Sequence, residues 1–219
     1  MNMIFRHSLV LLLVALYTQV QAQPFADEIN AFKKQDSMHY PAKHSIVFVG
    51  SSSFRKWVKM KEAFPNYPVI NRGFGGSTLP DVIRYVKDIV IAYQPRQVIV
   101  YCGDNDLASS DTVTAAIVLQ RFTTLFGMIR KALPYAEIDF LSIKPSPSRW
   151  NLAPAMVQAN DLVKAYLKKQ QHARFIDVYH PMLDANGKVR EDLFTEDRLH
   201  MNDKGYAIWQ KIIQPYLLK

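Results

Sequence analysis

The sequence predicts an α/β fold, a three-layer α/β/α sandwich built on a mostly parallel sheet of about five strands. Three observations carry this prediction. Apolar runs of strand length recur along the chain, segments with helical spacing separate them, and three of the runs lack a clear polar–apolar alternation. Alternation marks a strand with one solvated face, and its loss marks a strand covered on both faces by helices. Right-handed crossovers between parallel strands then put helices on both sides of the sheet.

The elements follow in order. Residues 1–6 carry positive charge, residues 8–17 (SLVLLLVALY) form a short apolar run, and Val20-Gln21-Ala22 offers small residues before Gln23. This is the layout of a signal peptide over residues 1–22, and the run falls short of the ~20 apolar residues a membrane span needs. The expected mature protein is 23–219, a single domain that is secreted or periplasmic. An uncleaved or lipid-anchored form is the competing reading, although no cysteine lies near the cleavage point to accept lipid. Residues 23–43 read as an N-terminal helix and lead-in.

Strands are expected at 45–49 (SIVFV), 68–71, 97–102 (QVIVYC), 138–143 (IDFLSI) and 175–179 (FIDVY), most of them ending at glycine or at a residue before proline. Thr78-Leu79-Pro80-Asp81 has a capping-box layout ahead of Val82, Ile83, Val86, Ile89 and Val90 at helical spacing. A long helix is expected over 112–133, with Ile117, Leu125, Met128 and Ile129 on its core face. Another is expected over 155–171, carrying Leu162, Val163, Tyr166 and Leu167. Asn202 is placed to cap a last helix through Tyr206, Trp209 and Ile213.

Composition narrows the function classes. With 49% apolar and 12% aromatic residues, the chain has the means to bury a core and is not a disordered polymer. A single cysteine, Cys102, excludes an internal disulfide framework and thiolate-rich metal sites, and it reads as a small buried hydrophobe. The formal charge is +8, but the cations are spread out, with Lys33-Lys34 and Lys168-Lys169 the densest pairs. No basic arm, zinc-finger spacing or aromatic–glycine signature accompanies them, so nucleic acid is not the expected partner.

In open parallel sheets, ligands sit beyond the carboxyl ends of the strands. Gly50, Gly73, Gly75, Gly76 and Gly103 all fall in three such loops. Four stretches there carry candidate chemistry. Gly50-Ser51-Ser52-Ser53 offers a hydroxyl held at a strand end, or merely a turn and helix cap. Asn71–Thr78 is a glycine-rich loop entering a helix, able to receive an anion or to serve as a tight turn. Its glycine spacing does not fit a dinucleotide or P-loop fingerprint. Gly103-Asp104-Asn105-Asp106 offers the Asn105 amide. The two acids lack the His or Glu cluster that a metal site requires. Asp197-Arg198-Leu199-His200 places a carboxylate three residues before an imidazole, able to fix its tautomer if the pair lies in a turn. His39, His44, His172 and His180 have no partnering motif. Together these stretches supply a nucleophile, a base, its orienter and oxyanion donors, which are the roles acyl transfer needs.

On those four blocks, in order and from about residue 43 to the end, the chain resembles the SGNH hydrolases, also called GDSL-type lipases and acylhydrolases. Its closest flavour is the platelet-activating-factor-acetylhydrolase-like branch. The resemblance implies a metal-free hydrolase without cofactor that works through an acyl-enzyme. It implies Ser52 as nucleophile, His200 as base and Asp197 as its orienter. The Ser52 N–H, the Gly76 N–H and the Asn105 side chain are the implied oxyanion donors. Ser51 stands where the family has Asp, and three adjacent hydroxyls leave Ser53 as the fallback nucleophile.

The expected substrate is a small-molecule or glycan ester with a short acyl group such as acetyl, a carbohydrate being the expected carrier. Ser51, Arg149 and Trp150 are assigned to the substrate side, the last two from the loop Lys144–Trp150, with Arg149 available to an anionic group. A lysophospholipase-type acylhydrolase and a non-catalytic glycan-binding protein are the alternatives. Nothing in the sequence reports on oligomeric state.

Overall fold

The structure, a computed structural model, describes residues 23–219, and the expected leader over residues 1–22 lies outside the described residues. Five parallel strands, β1 (Ile46–Gly50), β2 (Val69–Gly73), β3 (Gln97–Tyr101), β4 (Glu137–Leu141) and β5 (Ala173–Ile176), form one sheet in the order β2-β1-β3-β4-β5. The chain leaves β1 towards β2 on one side and returns to β3 on the other. In open parallel sheets such a reversal marks the place, beyond the carboxyl ends of β1 and β3, where a ligand crevice forms.

Helices cover both faces. Successive residues of one strand enter opposite cores: Val47, Val49, Val98, Val100 and Phe140 on one side, Ile46, Phe48, Ile99, Tyr101 and Leu141 on the other. This is the period-2 geometry that makes doubly covered strands apolar throughout. The first core is closed by α1 (Ala26–Met38), α4 (Leu79–Ile89), α6 (Ala115–Ala132) and α7 (Ala153–Leu167). The second is closed by the short α2 (Ser52–Arg55) and α3 (Met60–Ala63) and by α8 (Asp203–Ile213). It is strongly aromatic: Trp209 lies 6.0 Å from Phe54, 4.9 Å from Tyr101 and 6.3 Å from Trp57, ring centre to ring centre. A further short helix, α5 (Asp104–Ser109), follows β3.

Most boundaries agree with the sequence to within two or three residues. At the start of α4 the Asp81 carboxylate accepts from the Thr78 N–H (2.9 Å) and hydroxyl (2.6 Å). Asn202 accepts from the N–H groups of Lys204 and Gly205 at the start of α8. The fifth strand ends earlier than expected, at Ile176, because the Asp177 carboxylate accepts from the N–H groups of Tyr179 and His180. The Ser142 hydroxyl accepts from the N–H groups of Val178 and Tyr179. Side-chain acceptors thus take the donors that a longer strand would spend on its ladder. On α6, Leu125 and Ile129 are buried as expected, whereas Ile117 and Met128 sit at the margin and Val118, Phe122 and Phe126 fill the centre.

Candidate active site

β1 ends at Gly50, with φ of 142°, where a Cβ would fall 1.8 Å from the Tyr101 carbonyl oxygen. Only glycine permits that approach, which lets the chain turn sharply into the three serines. Their fates differ. Ser53 is buried, and its carbonyl accepts from the Tyr206 hydroxyl at 2.9 Å. Ser51 is wholly buried, and its Oγ has no hydrogen-bond partner among the described residues. Its expected place on the substrate side is therefore corrected: the turn points Ser51 inward so that the next residue can face the crevice. Ser52 is partly exposed, with its Oγ 2.9 Å from His200 Nε2.

The imidazole is held from behind, His200 Nδ1 lying 2.6 Å from Asp197 Oδ2. The other oxygen of Asp197 accepts from the N–H groups of Leu199 (2.9 Å) and His200 (2.8 Å) and from the Thr195 hydroxyl (2.8 Å). Arg198, at φ of 57°, makes the tight turn between them, and the Thr195 N–H closes the loop on the His200 carbonyl at 2.8 Å. Desolvation pushes the Asp197 carboxyl up, but the hydrogen bonds from the His200 ring, the two backbone N–H groups and Thr195 outweigh it. The carboxyl is held well below the usual carboxylate range. Nothing in the sequence reading marked Thr195, although a hydroxyl two residues before a turn-forming Asp is a recognisable partner.

The two backbone N–H groups expected at the oxyanion position, those of Ser52 and Gly76, have no acceptor among the described residues. A Cβ on Gly76 would lie 3.7 Å from Asn105 Nδ2, so the third expected donor adjoins the second. Asn105 Nδ2 donates to the Ser77 carbonyl at 3.1 Å, and Arg149 Nη1 donates to Asn105 Oδ1 at 2.9 Å. The same Nη1 reaches Asp104 Oδ2 at 3.1 Å. Arg149 was expected to await an anionic substrate group. One guanidinium nitrogen, Nη1, is engaged by Asp104 and by the Asn105 amide, whose orientation it fixes. Trp150 beside it is 38% exposed.

Asp104 and Asp106 are structural here. Asp106 accepts from the Leu79 N–H at 2.9 Å and from Arg121 at 2.7 Å, tying the start of α4 to α5 and α6. Cys102 is buried, and burial, with Asp106 and Asp104 nearby, pushes its thiol up. Two features escaped the sequence reading. Lys144 is fully buried, with its Nζ donating to the Leu199 carbonyl at 2.8 Å beneath the His200 turn. Desolvation lowers this ammonium to about 8. His180, read as having no partnering motif, pairs through Nδ1 with Asp177 Oδ2 at 2.7 Å. The signal was available, since Asp177-Val178-Tyr179-His180 repeats the spacing of Asp197–His200.

Comparison with known proteins is consistent with this geometry. A search of curated proteins gives no match. Among solved structures, a protein from Streptococcus pneumonia named for platelet activating factor is 19% identical, with a TM-score of 0.75 over 88% of this chain and 92% of that one. A GDSL-like lipase from Bacteroides thetaiotaomicron is 20% identical, with a TM-score of 0.72 over 86% of this chain and 96% of that one. An acetylxylan esterase from Geobacillus stearothermophilus, in a catalytic mutant form, is 15% identical, with a TM-score of 0.64 over 80% and 94%. At such identities these likenesses establish the shared fold. The model of the GDSL-like lipase/acylhydrolase family matches residues 44–208, which spans all five strands and all four blocks, and the chain belongs to that family.

Proposed function

We infer that the protein is an exported serine esterase that hydrolyses a short-chain acyl ester, with acetyl groups on a carbohydrate as the substrate class. One observation carries the reading: the unbroken line from Ser52 Oγ to His200 Nε2 (2.9 Å) and from His200 Nδ1 to Asp197 (2.6 Å). His200 takes the Ser52 proton as Oγ attacks the acyl carbonyl, and the carboxylate of Asp197 stabilises the imidazolium that forms. The oxyanion is received by the N–H groups of Ser52 and Gly76 and by the Asn105 amide. Collapse of the tetrahedral adduct expels the alcohol, which takes its proton from His200. Water, deprotonated by the same imidazole, then releases the acid and restores Ser52.

The acetyl-ester class is supported by the esterase neighbour of known substrate name and by the exposed Trp150 indole, next in sequence to the Arg149 that holds the Asn105 amide, a face on which a sugar ring can stack. Export is supported by the leader pattern in residues 1–22. A fluorophosphonate tests the chemistry: stoichiometric labelling mapped to Ser52 is expected. An unlabelled protein, or an S52A variant that still hydrolyses an aryl acetate, overturns the reading. A panel of acetylated sugars against short- and long-chain glycerol esters tests the substrate class. Preference for a long acyl chain overturns it in favour of a lipase-type reading.

A further inference from the structure

The family match begins at residue 44, so α1 lies outside it. Yet α1 reaches the active-site loops. Glu28 Oε2 accepts from the Gly75 N–H at 3.0 Å and lies 3.0 Å from Arg55 Nε. Gly75 directly precedes the Gly76 donor, and Arg55 sits three residues after Ser52 on α2. One carboxylate therefore joins the two loops that hold both backbone donors of the oxyanion position. We propose that Glu28 is a positioning residue for that position and that α1 forms part of the active site rather than a lead-in; this rests on the serine-esterase reading above.

Several contacts make α1 a rigid support. The Phe25 ring, 5.3 Å from Phe74 in an edge-to-face pair, lies where a Cβ on Gly75 would approach it to 2.2 Å. Tyr85 on α4 donates to the Pro24 carbonyl at 2.6 Å. At the other end, Asp36 takes the buried Arg72 guanidinium at 2.5 Å and the Tyr93 hydroxyl. The loop that α1 supports needs such support. Two consecutive glycines have wide conformational freedom, and an oxyanion donor is effective only when it does not have to reorient during the reaction. Glu28 fixes the N–H of the first glycine and leaves that of the second for the cleft. A carboxylate near a developing oxyanion would repel it, and Arg55 offsets that charge.

The test compares Glu28→Met, which keeps the volume and loses the acceptor, with Glu28→Gln, which keeps an acceptor oxygen. Aryl acetate hydrolysis is expressed per serine titrated with the phosphonate. E28M is expected to lower kcat by about tenfold to thirtyfold with KM within about twofold, and E28Q to retain most of the rate. Combined with Asn105→Ala, the E28M loss shrinks, because both act on one oxyanion position. Deuterium exchange over residues 73–77 rises in E28M, a readout independent of turnover. A kcat per labelled serine equal to wild type, a loss that multiplies fully with N105A, or unchanged exchange overturns the proposal. A wild type that takes no phosphonate and hydrolyses no ester overturns the esterase reading, and this inference with it.

Discussion

The chain pairs an Asp with a His three residues on twice, by the same hydrogen bonds though on different backbone turns, and among the described residues only one of the two imidazoles meets a serine hydroxyl. Asp177–His180 and Asp197–His200 each bring Nδ1 to a carboxylate oxygen, at 2.7 Å and 2.6 Å, and each carboxylate accepts from its own histidine's N–H. The first follows the outermost strand, with a His180 side chain 72% exposed. The second folds back over the crevice, with a His200 side chain 15% exposed and its Nε2 against Ser52, 148 residues away. A dyad of this kind is therefore a product of local turn geometry. Its chemical capacity comes from long-range convergence, which three residues of spacing cannot encode.

Substitutions divide the two copies. Ser52→Ala and His200→Ala are expected to reduce kcat by about 10⁴-fold or more, whereas His180→Ala leaves it within about twofold; steady-state hydrolysis of an aryl acetate measures both. The carboxylates follow at a lower level. Asp197→Asn is expected to cost about 10³- to 10⁴-fold through the wrong tautomer, and Asp177→Asn no activity, with at most a small loss of thermal stability. Equal effects at the two sites would erase the distinction.

The donors come next. Asn105→Ala should lower kcat by about 10²- to 10³-fold. Arg149→Met, which releases the Asn105 amide without removing it, should cost about tenfold in kcat with little change in KM. A change confined to KM would restore Arg149 to the substrate side.

The last effect is on stability rather than turnover and lies beneath the Asp197–His200 turn, where the exposed copy has no counterpart. Burial lowers the Lys144 ammonium from its ordinary value of 10.5 to about 8. Between pH 8 and 10.5 the unfolded chain holds this proton more tightly than the folded one, so stability rises with pH across that window. Relative to Lys144→Met, the wild type should gain about 3 kcal/mol between those limits in urea unfolding and show a constant difference below pH 8. A flat difference would place Lys144 in contact with water.

What the sequence made legible follows the range of the interactions involved. Strands β1 and β3 were legible because burial on both faces removes alternation, and the α4 and α8 caps because Thr78–Asp81 and Asn202 act within one turn. The end of β5 was misplaced because Ser142 and Asp177, 35 residues apart, between them take the N–H groups of Val178, Tyr179 and His180. The four blocks located the crevice, yet the order of Ser51, Ser52 and Ser53 depended on a turn set by the close approach of Gly50 to Tyr101. The pairings that Arg149 and Lys144 make were missed for a common reason. Their partners, Asp104, Asn105 and Leu199, lie 44 to 55 residues away, and no local pattern reports such pairings.

The aromatic cluster behind Ser52 gives the molecule an optical handle. Phe54, two residues after Ser52, packs on Trp209, and Trp57 on the same segment lies stacked 5.0 Å from Tyr206. Both indoles are sealed from water while Trp150 stands at the surface. Emission from the sealed pair therefore reports on the seating of the serine turn, and quenching of Trp150 by a soluble agent reports on the exposed loop that carries Arg149, two separable signals from one unlabelled chain.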